Sequence, residues 1–152
     1  MKGEILMSDK LQELVDKMNE YSQKLRSETM FTLGDLIDEL EKYPRDWEIL
    51  IEPFHLVPCC FTSYRGYYYD LCLTYSTREQ RLGEEMSVGK LLDMCKEADG
   101  KEFTGYKGGE FLMSRKTPIW VSDSDYSTGM AIGKIEKCFD GLINICCYKE
   151  ED

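Results

Sequence analysis

Arg65 lies in Ser63-Tyr-Arg-Gly-Tyr-Tyr68, where a single guanidinium is flanked by Tyr64, Tyr67 and Tyr68 and followed by Gly66. A planar cation between aromatic faces can pair with an anion while flat rings stack beside it. A second stretch, Gly105-Tyr-Lys-Gly-Gly109, supplies the same chemistry differently. Tyr106 adds a stacking face and Lys107 a charge, while Gly108 and Gly109 let backbone N–H groups converge on an anion. Taken alone, those glycines are explained as well by a bulge or hairpin loop that needs positive φ. A polar loop, Ser122 to Gly129, brings the Ser127 and Thr128 hydroxyls, which suit the edge of a base. Rings to stack and phosphates to pair are what a nucleotide demands. Stacking is worth roughly 1–3 kcal/mol per base and a charge-assisted hydrogen bond about 1.5–3. Two bases and two phosphates therefore gross on the order of 5–12 kcal/mol, against about 12 net for nanomolar binding. A preformed pocket or further donors are required.

Chemistry beyond binding finds less support. His55 is the sole histidine, so paired-imidazole phosphodiester chemistry is missing, and there is no G-x-S-x-G elbow or Walker spacing. Asp123 and Asp125 read as turn residues before they read as a catalytic pair. The seven cysteines form no C-x-x-C pair, which removes the usual zinc spacing; no metal and no cofactor is expected. Their odd number, with no signal peptide and no bilayer-length apolar run, fits free thiols in a reducing cytosol. A net charge of -10 repels polyanions at range, so a nucleic-acid polymer is disfavoured as partner, and so is a membrane. A small dianion is a different case, because a few local cations offset the global sign.

These groups need a scaffold of one domain spanning residues 1–152. Lys2-Gly3-Glu4 reads as codons of a purine-rich ribosome-binding sequence, which makes Met7 the expected start and residues 1–6 foreign to the protein. Residues 8–26 predict an amphipathic helix with Ser8 as N-cap and Leu11, Leu14, Val15, Met18 and Leu25 on one stripe. It packs on the domain or pairs with another subunit. A second helix opens at Thr32 and a third at Ser87. Phe31-Thr-Leu-Gly-Asp-Leu-Ile-Asp38 and Met86-Ser-Val-Gly-Lys-Leu-Leu-Asp93 share one pattern, and the glycine in each first turn suggests close approach by another backbone. Trp47 to Ile51, Tyr69 to Tyr75 (alternating, hence half-buried), Lys101 to Thr104, Glu110 to Met113 and Pro118 to Val121 predict strands. Met130 to Cys138 and Leu142 to Tyr148 add a hairpin across Asp140-Gly141. The expected fold is α+β, with three helices packed on a largely antiparallel five- or six-stranded sheet.

Ser63-Tyr-Arg-Gly-Tyr-Tyr68, Val88-Gly-Lys-Leu-Leu92, Gly105-Tyr-Lys-Gly-Gly-Glu-Phe111 and Thr117-Pro-Ile-Trp-Val121 resemble segments of small phage-encoded proteins, the anti-CBASS cyclic-dinucleotide sponges. The resemblance covers roughly Phe31 to Val121. It implies a homo-oligomer that sequesters, without cleaving, an immune signal such as cyclic GMP-AMP in the host bacterial cytoplasm. It does not say which residues touch ligand. A two-fold symmetric ligand suits a dimer or tetramer whose axis presents Arg65 and Lys107 twice. Two other readings stay open: a phosphodiesterase that degrades such a signal, and an acidic inhibitor or DNA mimic that uses Asp35, Asp38, Glu39 and Glu41.

Overall fold

The computed structural model describes residues 2–67, 69–80, 82–105, 109–122 and 129–149, with side chains from residue 9 onward. Three helices, α1 (Lys2–Thr29), α2 (Leu33–Leu40) and α3 (Val88–Ala98), accompany eight strands. These are β1 (Glu48–Glu52), β2 (Val57–Ser63), β3 (Leu71–Ser76), β4 (Glu102–Thr104), β5 (Glu110–Leu112), β6 (Ile119–Val121), β7 (Met130–Phe139) and β8 (Leu142–Tyr148). Six strands form one sheet in the order β1-β8-β7-β6-β3-β2, and β4-β5 make a separate small hairpin. The sheet is mixed, not largely antiparallel as expected, because β1–β8 and β3–β6 run parallel. Its two outer strands meet where Ile51 and Leu56 exchange both backbone hydrogen bonds, at 2.7 and 2.8 Å.

The two similar helix starts are built alike. Thr32 and Ser87 cap α2 and α3, and Asp35 completes a capping box in α2. Phe31 O accepts from Ile119 N at 3.1 Å, and Met86 O accepts from Ile49 N at 3.0 Å. Leu33 N donates to Thr117 O and Gly34 N to Arg115 O, at 2.9 and 2.8 Å; Val88 N donates to Trp47 O and Gly89 N to Arg45 O, at 2.8 and 2.9 Å. Each arginine then reaches across its glycine to an aspartate one turn on: Arg115 to Asp38 at 2.8 Å and Arg45 to Asp93 at 2.7 Å. The glycines are required because a Cβ would stand 2.9 Å from an arginine atom in both places.

This equivalence extends through the sheet. β1, β8 and β7 form a parallel pair followed by an antiparallel pair, and β6, β3 and β2 repeat it. In chain order β1-β2-β3 corresponds to β6-β7-β8, so each half of the chain lends its first strand to the hairpin of the other. The antiparallel β6–β7 pair likewise has its counterpart in the Ile51–Leu56 bridge of β1 and β2.

Three local expectations change. The first helix begins at Lys2 and ends at Thr29, so Ser8 lies within it and caps nothing. β3 is buried on both faces rather than one: Leu71 and Leu73 join the main core with α2 and α3, whereas Cys72 joins Met30, Tyr64, Trp120 and Ala131 in a second cluster. The stretch leading into the aromatic turn is itself β2, with Pro58 tolerated on an outer strand.

All seven cysteines are free, and burial raises Cys95 and Cys147 to about 12. Unfolded thiols ionise from near 9 while these two stay protonated in the fold, so the unfolded chain releases protons first. Stability is therefore expected to fall as pH rises from about 9 to 12. Urea midpoints at pH 8 and pH 10.5 check this. Mass-resolved alkylation should mark exposed Cys60 and Cys138 and spare buried Cys72 and Cys95.

Candidate functional site

In the unit formed by β1, β8 and β7 the hairpin closes tightly at Asp140-Gly141; at the equivalent place between β2 and β3 the chain spends residues 64–70. This enlarged turn is pinned by Tyr64 N to Asp70 O and Asp70 N to Tyr67 O, both at 2.9 Å. Its anchor is Asp70, which is fully buried. One oxygen accepts from Arg26 Nε at 2.6 Å and Trp120 Nε1 at 3.0 Å; the other accepts from the Arg26 guanidinium at 3.0 Å and Gln23 Nε2 at 3.5 Å. Gln23 also donates to Tyr69 O at 2.7 Å, and Arg26 to Ser22 Oγ. A buried carboxylate is tolerable only when paired and bonded in this way. The last turns of α1 are thereby bolted to the mouth of β3.

Aromatic rings fill the space above. Tyr64 stacks on Trp120 with centroids 4.8 Å apart and planes 14° apart, and Tyr67 lies 5.8 Å from Trp120 at 25°. The Arg26 guanidinium carbon sits 3.9 Å from the centroid of Tyr67. Between α1 and the turn runs a groove of about 260 Å³ lined by Asn19, Ser22, Arg26, Gly66, Tyr67 and Tyr69. That is near the lower end of small-molecule sites.

The residues expected to bind divide by exposure. Tyr67 is 45% exposed and Gly66 is exposed on the groove wall; Ser63 and Arg65 are half-buried. Tyr64 is only 2% exposed. Its ring is covered by Trp120 and its hydroxyl accepts from Gly129 N at 2.7 Å, so it positions the site rather than facing a ligand. Burial raises its pKa, partly offset by that hydrogen bond. Gly109 is exposed and has φ 84°, the positive value that the hairpin-loop explanation of these glycines also requires. Tyr68, Tyr106, Lys107, Gly108, Ser127 and Thr128 lie outside the described residues.

The flanks of all three candidate segments nonetheless meet at the turn. Tyr69 packs on Phe111, two residues beyond Gly109, at 4.3 Å. Cys72 Sγ donates to Ser122 O at 3.5 Å, and Tyr64 holds Gly129 at the far end of the polar loop. Sequence reasoning passed over Asn19, Gln23, Arg26, Asp70 and Trp120. A usable signal existed: Asp70 and Cys72 share one face of the strand predicted from Tyr69 to Tyr75, and a carboxylate covered there needs a cation.

His55 sits on the turn after β1 with Nδ1 2.6 Å from Glu52 Oε1. Among the described residues no group of three or more histidines, cysteines or carboxylates gathers as a metal site, and no helix is long and apolar enough to cross a membrane. No family model matches this chain, and neither any curated protein nor any solved structure is significantly similar to it.

Proposed function

We propose that the chain binds a cyclic dinucleotide, of the cyclic GMP-AMP type, and holds it intact, withdrawing an antiviral signal in the host bacterial cytoplasm. The observation that carries this reading is Tyr67, 45% exposed on the wall of a groove, in the turn where the flanks of the other two candidate segments also meet. Tyr67 is braced by Trp120 and Arg26, so a base packing on its exposed part meets a pre-organised surface. Arg26 is neutralised by Asp70 and offers a platform more than a charge. Cations for the phosphates then come from Arg65 and Lys107. Among the described residues the groove lining supplies amide, hydroxyl, phenol and guanidinium groups and no carboxylate or histidine, which favours holding over cleavage. The acidic-inhibitor reading weakens because Asp38 and Glu39 already have partners in Arg115 and Lys42.

The test incubates the protein with a panel of cyclic dinucleotides, removes unbound ligand, boils the complex and chromatographs the supernatant. Intact ligand is the expected product. Arg65→Ala should weaken binding roughly 10- to 150-fold, the equivalent of one charge-assisted hydrogen bond. Recovery of hydrolysed ligand would turn the protein into an enzyme, and an empty supernatant across the panel would end the proposal.

A further inference from the structure

α1 continues well beyond its attachment to the domain. Its side chains from Asp9 to Met18 are exposed all round, apart from partial cover at Asp16 and without any at Leu11, Leu14, Val15 or Met18. An isolated helix of such length is marginal in water unless its apolar face is packed. That face is regular. Leu11, Met18 and Leu25 recur every seven residues, and Leu14 and Tyr21 fall between them in the a/d alternation of a coiled coil. Their exposures are 60, 62, 46, 54 and 65%, with Val15 beside them at 47%. The domain attaches through Gln23 and Arg26, which project from another side of the helix, so the seam is left clear.

We propose that α1 pairs in parallel with α1 of a second copy, making a two-stranded coiled coil from which the two domains hang. The orientation follows from charge. Lys10, Lys17 and Lys24 occupy every g position, and Val15, Ser22 and Thr29 every e position of the same span. Antiparallel pairing sets g against g and brings lysine rows together. Parallel pairing sets g against the uncharged e row of the partner, across which the lysine stems can lie. Six side chains about half exposed, with the lysine stems beside them, form one continuous strip that a second copy would cover.

One consequence deepens the proposed binding function and rests on that reading. In the parallel register a g residue lies opposite the e residue five positions on. Lys17 of the second copy therefore stands at Ser22, on the rim of the groove lined by Arg26 and Tyr67. The pairing completes a site whose own arginine is neutralised.

Light scattering at tens of micromolar should report twice the 17.7 kDa chain mass. Leu14→Asp/Met18→Asp should return it to 17.7 kDa with the domain's thermal midpoint unchanged, since neither side chain packs on the domain. Tyr21→Cys, at a d position, should form an intermolecular disulfide under mild oxidation that the parent lacks. A monomeric parent, or a dimer that survives the double substitution, overturns the coiled coil; a dimer that Tyr21→Cys cannot cross-link overturns the parallel arrangement. Lys17→Ala should leave the mass dimeric and weaken cyclic GMP-AMP binding about five- to tenfold. A dimer that binds no nucleotide sinks the binding function and leaves the coil standing, whereas full-strength binding by a monomer does the reverse.

Discussion

Asp70→Ala is expected to cost on the order of 3–5 kcal/mol of folding stability, the usual penalty for removing one partner of a buried ion pair. The carboxylate is fully buried and serves the Arg26 guanidinium, the Trp120 indole N–H and the Gln23 amide together. Its removal leaves a guanidinium only 13% exposed without its counter-charge, and an indole donor buried with no acceptor. Asp70→Asn should fall between variant and parent, since it keeps the shape and some hydrogen bonding but loses the charge. Asp70 also ties the last turns of α1 to the mouth of β3, so limited proteolysis should cut around residues 19–29 sooner in Asp70→Ala than in the parent. Urea unfolding reads the energy. A variant within about 0.5 kcal/mol of the parent, the range of ordinary surface changes, would mean that Asp70 is not the anchor.

Gly34→Ala is expected to cost about 1–3 kcal/mol, the range for inserting a methyl group where none fits. Its Cβ would stand 2.9 Å from the carbonyl oxygen of Arg115 and 3.0 Å from that residue's Cβ. Retreat of that backbone would break the bond from Gly34 N to Arg115 O, 2.8 Å long and the start of the helix's attachment. Gly89→Ala meets Arg45 at its Cβ, Nε and Cζ, at 2.9, 2.9 and 3.0 Å. Much of that contact is a side chain, and its ion pair with Asp93 is exposed enough to be worth little. The second variant should therefore be the milder one in urea unfolding. Equal losses would show that the two helix starts are constrained by something other than the atoms these glycines face.

The pair of glycines was readable because capping and the helix start sit within eight residues of sequence, whereas the arginines they face lie 81 and 44 residues away. The Asp140-Gly141 hairpin was readable for the same reason. Parallel pairing was not, because β1 and β8 belong to opposite ends of the chain and no neighbour in sequence fixes their direction. Alternation misled at Asp70 and Cys72: a polar and a thiol position opposite leucines imply solvent on that face. Here Trp120, Tyr64 and Met30 cover it instead. The ring-rich turn was found from composition, yet which of its phenols faces outward was decided by Trp120, fifty residues from Asp70, and by a helix whose docking place the sequence left open.

The exchange of first strands between the two halves has a kinetic corollary. Glu48 must wait for Leu142, and the β2–β3 hairpin must wait for Ile119, before either unit has its full set of partners. The N-terminal half cannot finish before Leu142–Tyr148 has been made, so folding closes only once that strand is available. Chains truncated within Leu142–Tyr148 should then lose both halves at once rather than keep a stable N-terminal remnant.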